Sequence, residues 1–173
     1  MKKTITANWL NEINACSDAV EAFKNQKETN PVKVVQGAMK IDRFDWANWL
    51  IVRLMDRKQK IQYAIFAAES VIDIFEKKYP NDDRPRNAIE AAKKVLEKDS
   101  KKNRDAAYAA YAAAAADAAY AAYAAAADAA ADAYAAAAYA AAAAAYAYAD
   151  AAARKKLQKK IINYGIKILE EIC

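Results

Sequence analysis

From Asp105 to Ala153 the chain uses three residue types only, Ala, Tyr and Asp, with no Gly, no Pro and no cation before Arg154. Ala carries the lowest helical cost of any residue, and nothing in the tract competes for its backbone hydrogen bonds, so the tract is read as helix. As one unbroken rod it would run to about 75 Å. A compact globule of 173 residues has a radius of gyration of roughly 16 Å. The two lengths conflict, so the tract is expected to fold back as two or three packed helices, with Asp117, Asp128 and Asp132 available to cap new starts. A rod or oligomer in which other chains cover the helix is the alternative.

Positions 117, 128, 139 and 150 are Asp, Asp, Tyr and Asp, and Tyr123 and Tyr134 repeat the same eleven-residue step. Eleven residues close three helical turns almost without drift, so each series stays on one face. Tyr108, Tyr111, Tyr120, Tyr123, Tyr134 and Tyr148 fall in one half of the helical wheel, while Asp117, Asp128, Asp132, Asp150, Tyr139 and Tyr146 fall in the other. Ala surfaces let helices approach closely and Tyr rings fill the gaps between them. The functional reading of the same pattern is a groove. In it Tyr108, Tyr111, Tyr120, Tyr123 and Tyr134 stack on a planar base or on a partner's side chain, and Arg84, Arg86, Arg104 or Arg154 meets an anionic group, because guanidinium forks suit phosphate. An ice-binding rod is disfavoured, since the repeated residues are Tyr and Asp rather than Thr.

The formal charge is +5, but the tract holds five Asp and no cation, leaving +10 on the rest of the chain. Basic residues gather at the borders of the tract, Lys101-Lys102-Asn103-Arg104 before it and Arg154-Lys155-Lys156 with Lys159-Lys160 after it. A basic rim favours anionic partners, and Lys-rich helix ends also solvate an Ala-heavy protein.

Before the tract the chain reads as a series of helices. Thr6 or Thr4 caps one carrying Trp9, Leu10 and Ile13, and Ser17 caps a second through Val20 and Phe23. Asn30-Pro31 starts a third, ended near Gly37. Asp42 or Asp45 opens a fourth with Trp46 and Trp49, two large aromatics facing one way and read as core anchors. Ile61, Ile65, Ala68, Ile72, Phe75 and Tyr79 alternate steps of four and three, the stripe of one helix over 56–79. Pro80 ends it, and Asn81-Asp82-Asp83 turns into a helix from Arg84 through Leu96. After the tract, Leu157, Ile161, Tyr164, Ile168 and Ile172 repeat the stripe, with Gly165 on the same side, where a small residue allows close approach. No strand pattern occurs. The expectation is an all-α single domain of about seven to nine helices, with an N-terminal half at 1–98 packed on an Ala-rich C-terminal half at 99–173.

Several chemistries lack their parts. The chain has no His and two distant Cys, so no zinc site and no Ser-His or Cys-His nucleophile is expected. Two isolated Gly cannot build a phosphate-cradling loop. Asp pairs such as Asp128 and Asp132 read as a solvated face rather than an acid/base pair. No cofactor is expected, nor a membrane span, because Asp interrupts the Ala run. Without a signal peptide the default location is the cytoplasm, and a disulfide between Cys16 and Cys173 is not expected.

The run Asp45-Trp46-Ala47-Asn48-Trp49-Leu50, the segment Tyr63-Ala64-Ile65-Phe66-Ala67-Ala68-Glu69, the string Arg84-Pro85-Arg86-Asn87-Ala88-Ile89-Glu90-Ala91-Ala92 and the Ala-rich C-terminal tract together resemble a family. It is the helical, alanine-rich immunity proteins of the immunity-protein-5-like kind, found in bacteria and their phages. The resemblance implies toxin neutralisation and carries no site residues with it. The expected function is a non-enzymatic binding protein, of immunity or phage anti-defence type, that neutralises a protein toxin or defence effector stoichiometrically and forms a homo-oligomer. The alternative is a sponge for an anionic nucleotide signal. A third reading, non-specific nucleic-acid binding, rests on the basic borders and predicts steep loss of affinity with salt.

Overall fold

The computed structural model describes residues 4–113 and 151–171, with the side chains of residues 75, 78 and 111–113 left aside. Its elements are α1 (Ala7–Glu12), α2 (Ser17–Lys24), α3 (Pro31–Lys40), α4 (Phe44–Leu54), α5 (Arg57–Glu69), α6 (Ile72–Lys78), α7 (Arg84–Glu97), α8 (Lys101–Ala113) and α9 (Ala151–Glu170). The class is all-α, and no strand occurs among the described residues. Both described ends of the Ala tract are helical, in α8 and α9, whereas Asp117, Asp128 and Asp132 lie outside the described residues.

Local chemistry sets several of the helix starts. Thr6 sits in extended backbone and its hydroxyl accepts the Trp9 N–H at 3.2 Å. Asn30 does the same for Lys33 at 3.1 Å, with Pro31 supplying a fixed φ at the first helical position. Asp56 and Gln59 form a reciprocal capping box, Gln59 N–H to Asp56 at 2.8 Å and Asp56 N–H to the Gln59 side chain at 2.9 Å.

Four expectations shift. Ser17 is the first residue of α2 rather than its cap, and its hydroxyl turns to Asp18. Gly37 lies inside α3, which runs on to Lys40. Neither Asp42 nor Asp45 caps α4: Asp42 takes a left-handed φ of 60° in the corner, and Arg43 precedes the first turn. The stripe over 56–79 is two helices, not one. At the break the Ser70 hydroxyl donates to Phe66 O at 2.8 Å, and Val71 N and Ile74 N bond back three residues instead of four, tightening the turn. Ile61, Ile65, Ala68 and Ile72 of that stripe are still buried, while Tyr79 is exposed.

One core holds these elements together, and α9 runs through it against α3, α4 and α5. Leu157, Ile161, Ile162, Ile166, Ile168 and Leu169 of α9 are buried with Ile51 and Val52 of α4 and with Ile61, Tyr63 and Ile65 of α5. Gly165 is the point of closest approach. A Cβ built there would stand 2.7 Å from both Ile51 Cδ1 and Tyr63 Cε2, inside any real van der Waals contact. Tyr63 cannot yield easily, because it is fully buried and its hydroxyl donates to Asn48 Oδ1 at 2.7 Å. Burial pushes its phenol far above the ordinary value. Alongside, Phe66 and Tyr164 stack with ring centroids 3.8 Å apart.

Gln59 ties the start of α5 to the end of α9. While its oxygen completes the capping box, its Nε2 donates to Ile168 O at 3.1 Å, in the last turn of α9, where helical carbonyls lack partners of their own. The α7–α8 turn is closed in a similar way, with Asn103 Nδ2 donating to Lys94 O at 2.9 Å and to Lys98 O at 2.8 Å.

Two stability predictions follow from these contacts. Gly165→Ala gains about 1 kcal/mol of helix propensity but overpacks at a cost of roughly 1–3 kcal/mol; urea unfolding is expected to show a net loss, partly restored by Ile51→Val, which deletes the clashing methyl. Gln59→Ala is expected to cost more than Asp56→Ala in the same assay. The latter removes a cap worth about 1 kcal/mol, while the former also strips a buried carbonyl of its donor, at about 1–3 kcal/mol.

Candidate functional site

The arginines singled out from the sequence are already engaged. Arg84 grips Asp82 with Nε at 2.8 Å and Nη2 at 2.6 Å, and Arg86 grips Glu76 at 2.5 and 2.7 Å. Arg104 donates to Asp99 Oδ1 at 2.6 Å, while Arg57 takes the other oxygen at 3.0 Å. Arg84 and Arg86 start α7, and Asp99 and Arg104 lie beyond its far end, about 20 Å away along a helix of that length. Tyr108 stands one turn after Arg104 on α8 and is 64% exposed. Arg154 is half-buried in the first turn of α9, beside Lys155, whose ammonium reaches Asp42 in the α3–α4 corner at 2.8 Å. The side chain of Tyr111, together with Tyr120, Tyr123 and Tyr134, lies outside the described residues.

These pairs have an acid-side signature. Hydrogen bonds from Arg104 and then Arg57 hold the Asp99 carboxyl below the ordinary aspartate value. Whatever stability the pair adds is therefore present above that ordinary value and lost as pH falls through the depressed one. NMR titration of Asp99 should give a midpoint below 3.8, and Arg104→Ala should raise it; an unmoved midpoint would contradict the pairing.

A concave surface lies elsewhere, between α2 and the α3–α4 pair. It holds a cavity of about 360 Å³ whose walls include Leu10, Phe23, Val34, Trp46, Trp49 and Leu50, with Cys16, Arg43 and Asp45 at its polar edge. Both Trp are half-buried: Trp49 packs against the core, in keeping with its reading as an anchor, whereas Trp46 is not among the residues packed on it. Each carries a guanidinium on its ring: Arg43 lies 3.5 Å from the Trp46 centroid and Arg53 3.6 Å from that of Trp49. Both cations are fixed from a second side. Arg43 forks onto Asp45 at 3.0 and 2.7 Å, and Arg53 donates to Trp49 O at 3.2 Å. The Asp45 carboxyl is held low by that fork, and Arg43 is raised by Asp45 first and by the nearby Cys16 and Asp18 less strongly. The sequence carries the signal, since Arg43 precedes Trp46 by three and Arg53 follows Trp49 by four, the spacings at which helical neighbours meet.

The chemistry of this surface is that of contact. Apolar walls with a few ordered polar groups at the edge suit a bulky apolar group from a partner. Among the described residues no three His, Cys, Asp or Glu side chains cluster to hold a metal ion, and no helix is long and apolar enough to cross a membrane.

Comparison with known proteins agrees with the resemblance read from the sequence. No curated protein and no solved structure matches the chain. Residues 51–166 match the family described as Imm-5 like putative immunity protein. That span covers well over half of the 173 residues, and the chain belongs to this family of immunity proteins.

Proposed function

We propose that the protein neutralises a protein toxin or defence effector by stoichiometric binding, without turnover, through the face that carries Trp46 and Trp49. Membership of an immunity-protein family supplies the general role, which implies a protein partner. The observation that carries the finer reading is the pair of half-buried Trp rings, each already covered by an arginine and set on the edge of an apolar cavity. Trp and Arg dominate the few residues that carry most of the energy of protein interfaces, and they do so where they flank a pocket that closes to water. The nucleotide-sponge alternative asks for guanidinium groups turned toward phosphate, whereas Arg84, Arg86 and Arg104 each hold a carboxylate.

The test is neutralisation in cells followed by reconstitution. The protein is co-expressed with each of a panel of bacterial toxin domains, and any pair that restores growth is purified. A complex of fixed molar ratio, with both chains of unchanged mass, is expected. Trp46→Ala should weaken it by about 30-fold, the roughly 2 kcal/mol of an interface hot spot. Protection by a small fraction of the toxin's molar amount, or a covalently altered toxin, would overturn the reading.

A further inference from the structure

The Trp46 cavity does not stand alone. A second concavity of about 580 Å³ continues it along α3 and shares Ala19, Phe23, Val34, Ala38 and Trp46 with it as common walls. Together they make one groove along α3, with Gln26 and Lys33 toward the start of that helix and Lys40 and Arg43 toward the α3–α4 corner. Along its length the floor is aromatic or branched, while Ala19, Ala22 and Ala38 on the walls keep it wide. Ile41, 60% exposed, stands on its rim beside the α3–α4 corner.

The charge on the α3 wall is one-sided. Lys33 and Lys40 both line the second concavity and both are exposed. Seven residues separate them, about 10 Å along the helix axis. Glu28, which also lines the second concavity, pairs with Lys33 at 3.6 Å, and no ion pair of Lys40 occurs among the described residues. A rod-shaped apolar channel flanked on one side by two cations two helical turns apart matches one kind of object, an amphipathic helix with bulky apolar residues on one face and acidic residues at i and i+7 on its flank.

All the residues that line this groove precede Ile51, where the family match begins. Choice of partner can therefore be written into the groove without altering the matched segment.

We propose that the α2–α3 groove is a helix-docking site: one amphipathic helix of the partner lies in it, with two bulky apolar side chains entering the two concavities and a pair of acidic side chains meeting Lys33 and Lys40. This rests on the reading of the protein as one that binds a protein partner, and it specifies the part of that partner which is held.

Gly37 supplies a clean probe. It lines the groove from within α3, its backbone is helical, and a Cβ added there meets nothing within 4 Å. Gly37→Trp is expected to keep or raise the melting temperature while filling the channel. A display library of amphipathic helical peptides, with the apolar and charged positions randomised, is panned on the wild-type protein. Enriched peptides should carry large apolar residues on one face and Asp or Glu seven apart. They should lose at least tenfold in affinity on Gly37→Trp, and similarly on Lys33→Glu combined with Lys40→Glu. Peptides that bind both variants like wild type, that lack the acidic pair, or that fail to enrich at all would overturn the proposal, as would a change of oligomeric state on Gly37→Trp, which would give the groove to a second copy of the chain. Failure here is separable from failure of the broader reading. A Gly37→Trp variant that still neutralises a toxin stoichiometrically removes the groove and leaves the binding function, whereas a wild type that neutralises nothing while the peptides still bind removes the function and leaves the groove.

Discussion

The seat of α9 against α4 and α5 depends on the absence of one methyl group. Gly165 brings the α9 backbone to where a Cβ would lie 2.7 Å from Ile51 and Tyr63, and the buried side chains on either side of it are positioned by that approach. In a helix Gly is unfavourable by about 1 kcal/mol relative to Ala, so the close contact must more than offset the loss. It does so by letting one edge of the Tyr63 ring reach the α9 backbone, with its hydroxyl satisfied by Asn48. Gln59, held between its own cap and Ile168, fixes the same pair of helices about one turn away.

Away from that seat the packing changes character. α5 packs on both α7 and α9 through buried side chains that include Ala as well as branched and aromatic residues. α2 rests on α1, and its face toward α3 is left open as a groove. The groove is built on the core rather than apart from it: Leu10 and Leu50 are buried in the core cluster and Phe23, Val34, Ala38 and Trp49 pack against it, and the proposed contact uses the Trp and Arg side chains at its edge.

Much of this was legible in the amino-acid order, for identifiable reasons. Thr6, Asn30-Pro31 and the turn after Pro80 mark helix starts because the bonds they make are local. Gly165 could be assigned to a close approach because it shares a stripe with Leu157 and Ile161. The break at Ser70 was not legible, since the apolar steps of four and three run through it and only a side-chain bond to Phe66 reveals it. Nor was the groove. The periodicity that marks Trp46 and Trp49 as apolar says which way they face, not whether another helix covers them. The ion pairs of the arginines were not legible either, because Asp82, Glu76 and Asp99 are brought to them by turns and by tertiary packing. The Tyr120, Tyr123 and Tyr134 face lies outside the described residues.

The stacking of Arg43 and Arg53 on their neighbouring Trp rings has a kinetic meaning. Long cationic side chains ordinarily surrender rotamer freedom when a complex forms, at about 0.5–1.5 kcal/mol each. Here Arg43 is immobilised between an indole and a carboxylate, and Arg53 between an indole and a carbonyl, before any partner arrives. Their ordering belongs to the folding of α4 rather than to the encounter. In the proposed contact such a patch acts as a rigid template, so a visiting molecule that fits is held long, and one that does not finds little give in the surface to accommodate it.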